Sequence, residues 1–339
     1  MEAYLYKHLK KKAVQCNLCH HHCVIADGKR GICNVRENRD GILKTLVYGK
    51  VIASHVDPIE KKPLYHVMPG SRSYSIATVG CNFKCHFCQN ADIAQMPADR
   101  SGLVLGENFT PMEIVSQALE TDCQSIAYTY TEPTIFFEYA LETARLAHSK
   151  GLKNIFVTNG YMTSQAIEMA SGLIDAANVD LKAFSDRFYK KYCSARLDPV
   201  LETLKHMKTA GIWIEVTTLV IPGLNDDKHE IASLAKFIAN SLGRETPWHI
   251  SRFHPAYRLL DTPLTPVESL TAAFEIGKNA GLKYVYIGNV TTKNGSDTFC
   301  SNCGTIVIDR KGYKVRCNMT RDGRCPVCNE KIQGIGLSS

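Results

Sequence analysis

From Tyr74 onward the chain alternates short apolar, β-branched runs with longer stretches in which apolar residues recur every three to four positions. The short runs are Ser75–Val79, Ser125–Thr129, Asn154–Thr158, Ala177–Leu181, Ile212–Ile221 and His249–Phe253, and a further one, Tyr284–Ile287, closes the series. They show little strict in-and-out alternation, which suits parallel strands covered on both faces. Helical periodicity fills the intervals at Pro111–Leu119, Ile135–His148, Thr163–Ala170, Pro199–Ala210, Lys228–Ser241 and Pro266–Ala280. Thr110-Pro111 and Thr265-Pro266 read as an N-cap followed by proline in the first turn, and Gly151, Gly211 and Gly281 as C-terminal stops. Repeated strand–helix units predict an α/β fold, a partial (β/α)6 TIM-like barrel open on one side. In such barrels the chemistry collects at the C-terminal ends of the strands.

Three regions follow from this pattern. Residues 1–70 have little helical period and form a cysteine-rich segment with turn signals at Asp27-Gly28 and Asp40-Gly41. Residues 71–294 are the barrel. Residues 295–339 follow the polar break Lys293-Asn294-Gly295-Ser296 and are too short for an independent apolar core. The net charge of +7 is unevenly spread. The first 70 residues hold 12 Lys/Arg against 6 Asp/Glu, residues 71–298 hold 21 against 24, and the remainder 7 against 3. The basic excess therefore lies on the two cysteine-rich ends, which admits a nucleic acid or an acidic protein as partner. No apolar run reaches the roughly 18 residues of a membrane span, and no apolar stretch follows the N-terminal lysines. The expectation is a cytoplasmic protein without a membrane partner.

Fourteen cysteines need a chemical reason in a reducing compartment, where clustered thiols bind metal more often than they pair. Cys81, Cys85 and Cys88, in CNFKCHFCQN, have the spacing C-x3-C-x2-C. Three thiolates on one loop hold three irons of a [4Fe–4S] cube that normally takes four, leaving one iron for a reactant. Cys300-x2-Cys303 and Cys325-x2-Cys328 are two knuckles that close a tetrahedral site, read as a zinc ribbon, with a rubredoxin-like iron site as the alternative of equal geometry. Cys16, Cys19, Cys23 and Cys33 are read as a site for zinc or an auxiliary iron–sulfur cluster, with free thiols as the remaining alternative. Cys123 and Cys193 read as ordinary small hydrophobes.

The C-x3-C-x-aromatic-C loop, with Phe87 before the last cysteine and a strand-like run ahead of it, resembles the signature of the radical S-adenosylmethionine superfamily. The resemblance implies a [4Fe–4S] cluster that cleaves S-adenosylmethionine reductively to a 5′-deoxyadenosyl radical, fed by a flavodoxin- or ferredoxin-type electron donor. It implies cofactor contacts at Phe87 and at Thr129 and Glu132 in TYTEP, where Tyr130 and Thr131 stand in place of glycines. It adds Asn159 after the third strand, Asp180 and Lys182 after the fourth, and His254 in RFHP; Ile221–Asp226 would line the adenine. Activating enzymes for glycyl-radical proteins share several of these positions. HVDPIEKKPLYH at 55–66, RGICNVREN, TEPTIFFEY and the terminal ribbon resemble more narrowly the radical enzyme of the AmmeMemoRadiSam system, which implies Memo-like and AMMECR-type partners. Asp57, Glu60 and Lys61 either bind substrate or staple the N-terminal segment to the barrel. The leading expectation is a radical enzyme acting on an unknown substrate. The alternatives are an activase for a glycyl-radical enzyme, and a non-catalytic zinc-ribbon adaptor that binds RNA or protein.

Overall fold

The computed structural model describes residues 1–337. Its centre is an eight-stranded sheet in strict chain order: β1 (Ala53–Pro58), β2 (Arg72–Ala77), β3 (Ser125–Tyr128), β4 (Lys153–Thr158), β5 (Ala176–Asp180), β6 (Trp213–Val220), β7 (Trp248–Arg252) and β8 (Val285–Gly288). From β2 to β8 every neighbouring pair is parallel, and β1 runs antiparallel on the edge, with Ala53 opposite Ala77 and Pro58 opposite Arg72. The two edge strands do not pair with each other, so the barrel is open. All seven apolar runs are thus parallel strands, the first of them shifted toward the N-terminus. The antiparallel strand at 53–58, inside the region assigned to the N-terminal segment, carries too little apolar pattern to announce itself.

Helices α1 (Pro111–Glu120), α2 (Phe137–Ser149), α3 (Ser164–Ala170), α4 (Leu197–Thr209), α5 (Lys228–Phe237) and α6 (Val267–Asn279) fill the crossovers. Thr110 and Glu113 close a reciprocal capping box on α1, and Gly151, Gly211 and Gly281 follow their helices at positive φ. The expectation of a cap at Thr265 fails. Its hydroxyl donates to the Val220 carbonyl at 2.6 Å and accepts from the Phe253 amide at 2.8 Å, tying β6 to the end of β7, while Pro266 takes the cap position. Tertiary partners outcompeted the local one.

The flanks pack on this frame. The N-terminal region forms short antiparallel pieces, Tyr6–His8, Val14–Cys16 and Val24–Ile25 in one sheet and Arg36–Arg39 with Ile42–Thr45 in another. Residues 59–68 run under the strands: Ile59, Leu64 and Val67 pack with Ala127, Ile155 and Ala176. Asp57 accepts from Lys61 at 2.8 Å, from Lys62 at 2.6 Å and from the Tyr130 hydroxyl, and Glu60 accepts from the Gly70 amide at 2.9 Å beside Arg310. Asp57 is satisfied internally and Glu60 holds the Gly70 amide and faces Arg310, with its Oε2 left unpartnered, so both acids tie the N-terminal segment to the frame. The C-terminal region is a three-stranded antiparallel sheet, Thr298–Phe299, Ile306–Lys311 and Lys314–Asn318. It packs Val307, Ile308 and Leu337 against Tyr65, Tyr284 and Tyr286. Among the described residues no helix is long and apolar enough to cross a membrane.

Candidate active site at the strand ends

The loop after β2 carries Cys81, Cys85 and Cys88. It begins at Gly80, φ +101°, where a Cβ would stand 2.8 Å from Val35 and 3.3 Å from the Cys33 carbonyl oxygen. Only glycine lets the loop turn there and lie this close to the N-terminal segment. The other side of the loop is held by a π-turn, Tyr189–Cys193: the Lys84 amide donates to the Cys193 carbonyl and the His86 amide to the Tyr192 carbonyl, both at 2.9 Å. Cys193 is fully buried, as a small hydrophobe should be, but its thiol also lies against Cys85. Sequence reasoning missed this clamp, since nothing in YKKYC signals a contact made more than a hundred residues away.

Around the loop the structure gathers most of the expected residues. Glu132 is buried at the end of β3. Its Oε1 accepts from the Thr134 amide at 3.1 Å, the Thr134 hydroxyl at 2.5 Å and the Thr158 hydroxyl at 2.7 Å, and its Oε2 from the Asn159 amide at 2.8 Å. With three donors on its two lone-pair sites Oε1 is full, whereas Oε2, with one donor, keeps an acceptor site open. Burial raises the Glu132 pKa, and the Asn159 amide and the two threonines oppose that rise. The Asn159 side chain donates to Asn82 Oδ1 at 2.7 Å and reaches Cys81 Sγ at 3.8 Å, while its own Oδ1 is buried without a partner. A buried acceptor left unpaired is costly, so this atom is poised for a ligand.

Asp180 and Lys182 leave the end of β5 on the same side and pair at 2.7 Å. Burial disfavours the Lys182 ammonium, but Asp180 and the sulfurs of Cys85 and Cys193 outweigh it and hold its pKa well above that of a free lysine. Its Nζ lies 5.9 Å from the Phe87 ring centre, its backbone amide donates to the Tyr189 hydroxyl, and Asn225 donates to its carbonyl at 2.6 Å. Thr129 is buried beside β2, its amide donating to Ile76. His254 stands apart: it is exposed and lines an open cavity with Gln89, Pro255, Ala256 and Asn289.

The thiols suit a cluster better than a single ion. Burial pushes Cys88 up to about 11 and Cys81 well above an ordinary thiol, with Glu132 adding to the rise at Cys81. Cys85 is lowered, chiefly by its contact with Cys193. Among the described residues, only Cys300, Cys303, Cys325 and Cys328 bring three or more ligand atoms within 4.8 Å of one another. The three loop sulfurs are therefore more widely spread, as thiolates bound to three different irons must be. The Phe83 amide donates to Cys81 Sγ at 3.3 Å, the kind of hydrogen bond that stabilises a cluster thiolate. The residues present fit a [4Fe–4S] cluster.

The C-terminal four are the opposite case. Cys300 and Cys328 stand 3.5 Å apart and Cys303 and Cys325 3.6 Å, close to the roughly 3.8 Å that tetrahedral bonds of about 2.3 Å to one ion require.

Comparison with known proteins agrees with this geometry. The family model of the radical SAM superfamily matches residues 75–235, from β2 through α5. An uncharacterised protein of Methanocaldococcus jannaschii is 44% identical over 98% of this chain and 98% of its own length. The benzylsuccinate synthase activating enzyme of Thauera aromatica is 22% identical, covering 57% of this chain and 65% of that protein. Among solved structures, Streptococcus suis SuiB bound to S-adenosylmethionine superposes with a TM-score of 0.51 at 13% identity, over 68% of this chain and 53% of that one, a likeness of fold. With three cysteines on the loop after the first parallel strand, and Glu132, Asn159 and Lys182 gathered around them, the chain belongs to the radical SAM superfamily.

Proposed function

We propose that this radical SAM enzyme holds its cluster on Cys81, Cys85 and Cys88 and uses the adjoining strand-end side chains to orient S-adenosylmethionine for hydrogen abstraction from a substrate. The observation that carries the reading is the buried Glu132 and Asn159 and the half-buried Asp180–Lys182 pair beside the three-cysteine loop. When bound, the cluster supplies an electron and an open coordination site; the protein supplies binding, orientation and exclusion of water. Glu132 Oε2 and the unpaired Asn159 Oδ1 are acceptors suited to an ammonium. Lys182, kept cationic by Asp180, suits a carboxylate, and Asp180 is exposed enough to accept from ribose hydroxyls. Phe87, packed on Phe188, and Thr129 wall the site, and His254 offers a ring at the open mouth. The Cys300/Cys303/Cys325/Cys328 group is assigned to zinc on its sulfur spacing. Memo-like and AMMECR-type proteins remain the proposed partners, with a flavodoxin or ferredoxin as electron donor.

The test is anaerobic reconstitution with iron and sulfide, reduction by dithionite, and assay for 5′-deoxyadenosine from S-adenosylmethionine. The wild-type chain forms it and Cys85→Ala does not. A cluster-loaded wild-type chain that leaves the cofactor intact would sink the reading. Glycyl-radical activation is the second reading, resting on the likeness to the Thauera activase.

A further inference from the structure

The N-terminal cysteines are not scattered through a core. Cys16, Cys19, Cys23 and Cys33 line one enclosed cavity, with Leu18, Ile25, Gly31, Ile32, Arg36, Asn82, Thr134 and Ile135 completing its wall. The chain brings them there deliberately: the Cys16 amide donates to the Cys23 carbonyl at 3.0 Å, so the two ends of the C-x2-C-x3-C stretch close on each other. Gly31 keeps the wall open, since a Cβ there would meet Cys23 Sγ at 3.6 Å and Ile25 at 3.2 Å.

Two further side chains in this wall make no sense in an apolar cavity. Arg36 is only 2% exposed. Its Nη2 is held between the two carboxylate oxygens of Glu138 and its Nη1 approaches Cys16 Sγ at 3.9 Å, but its Nε is buried with no partner. Asn82 is 1% exposed, and its Nδ2 is likewise buried and unpartnered. Two orphaned N–H donors on side chains that share a cavity wall with four thiols cost free energy unless an acceptor in that cavity reaches them.

We propose that Cys16, Cys19, Cys23 and Cys33 bind a second [4Fe–4S] cluster, ligated by all four thiolates and hydrogen-bonded by Arg36 and Asn82. Four thiolates on a cube leave a net negative group bearing sulfides, which are acceptors for N–H donors. Zinc would be equally anionic, but one ion draws its four sulfurs to about 3.8 Å from each other, as the C-terminal site does. No three of these sulfurs come within 4.8 Å of one another, so their spacing suits ligands on different irons. Asn82 also joins the two sites: its Oδ1 accepts from Asn159, its carbonyl accepts from His21 Nε2 at 2.8 Å, and it follows Cys81 directly. The second cluster therefore lies one residue layer from the radical site and does not depend on that site's activity.

Acid-labile sulfide tests this directly, because neither zinc nor a rubredoxin-like iron contains any. The reconstituted full chain should hold about eight sulfides, and a Cys81→Ala/Cys85→Ala/Cys88→Ala variant about four, with a reduced-cluster EPR signal after dithionite. About four sulfides in the full chain, falling to background in the triple variant, would overturn the proposal. So would about two zinc ions per sulfide-free triple variant. Cys19→Ser in the otherwise intact chain should lower the sulfide count from about eight toward four; an unchanged count would also overturn it. Loss of 5′-deoxyadenosine formation alone leaves these counts untouched, so failure of the two readings can be told apart.

Discussion

At the C-terminal end four sulfurs stand in pairs 3.5 and 3.6 Å apart on turns that reach the surface, Cys303 being exposed. At the N-terminal end four sulfurs line a largely enclosed cavity, further apart, with one guanidinium nitrogen, Arg36 Nε, and one amide nitrogen, Asn82 Nδ2, buried without partners. Both ends offer the same donors in the same number. What separates them is geometry and surroundings: knuckles of two C-x2-C turns converge on a point, whereas Cys33 arrives from a separate turn and keeps a wider frame. The number of thiols therefore suits a metal at either end, while their separation and the unpaired donors nearby distinguish the two proposed sites.

The largest effect that can break this contrast is removal of the zinc proposed for the C-terminal site. Cys325→Ser should cost on the order of 10 kcal/mol of binding free energy and loosen residues 299–337 to limited proteolysis. Iron and sulfide should stay unchanged; a fall in sulfide would merge the two sites.

Next comes the buried pair behind the N-terminal cavity. Glu138 is fully buried, and it also accepts from the Tyr4 amide at 2.6 Å. Glu138→Ala should destabilise the chain by about 3–5 kcal/mol in urea unfolding, because it strands Arg36. The loss should be smaller in the cluster-loaded protein, whose anion takes over part of the pairing. An equal loss in both forms would remove Arg36 from the cluster's surroundings.

A smaller effect concerns how the ribbon docks. His66 is fully buried. The Gln333 carbonyl can only accept, so His66 Nδ1 carries the proton and Nε2 accepts from the Tyr286 hydroxyl, both at 2.6 Å. Burial lowers its pKa to about 4. Between that value and the unfolded value of about 6.5 the unfolded chain binds more protons, so stability is present above pH 6.5 and is lost as pH falls toward 4. The full span amounts to about 3 kcal/mol. Thermal unfolding of wild type between pH 7 and pH 5 should show part of this, and His66→Gln should flatten it. A slope that survives the substitution assigns the effect elsewhere.

The smallest prediction is Gly31→Ala. The added methyl presses on the movable end of Ile25, so it should cost about 1 kcal/mol and reduce sulfide only at the N-terminal site.

Much of this molecule is legible in its sequence. Parallel strands buried on both faces leave near-continuous apolar runs, and capped helices leave Thr110-Pro111 and Gly151, so the barrel could be read in order. Cys81, Cys85 and Cys88 were legible because one short loop carries all three ligands. The edge strand at 53–58 was not, since its register comes from β2 and not from its own pattern. Thr265 misled because a capping signal is local, and two strand-end partners offered it better hydrogen bonds. Glu132 was found, but not its four donors, which come from two strand ends.

By itself, then, the sequence determined the alternation of strands and helices, the cluster loop and the two sets of four thiols, because periodicity and short spacings are properties of neighbours along the chain. The tertiary structure decided that Cys193 braces the three-cysteine loop, that Asn82, beside Cys81, also lines the N-terminal cavity, and that Arg36 is buried with an unsatisfied nitrogen in the wall that four cysteines share. Those facts depend on contacts between residues far apart in sequence, and only packing brings them within bonding distance.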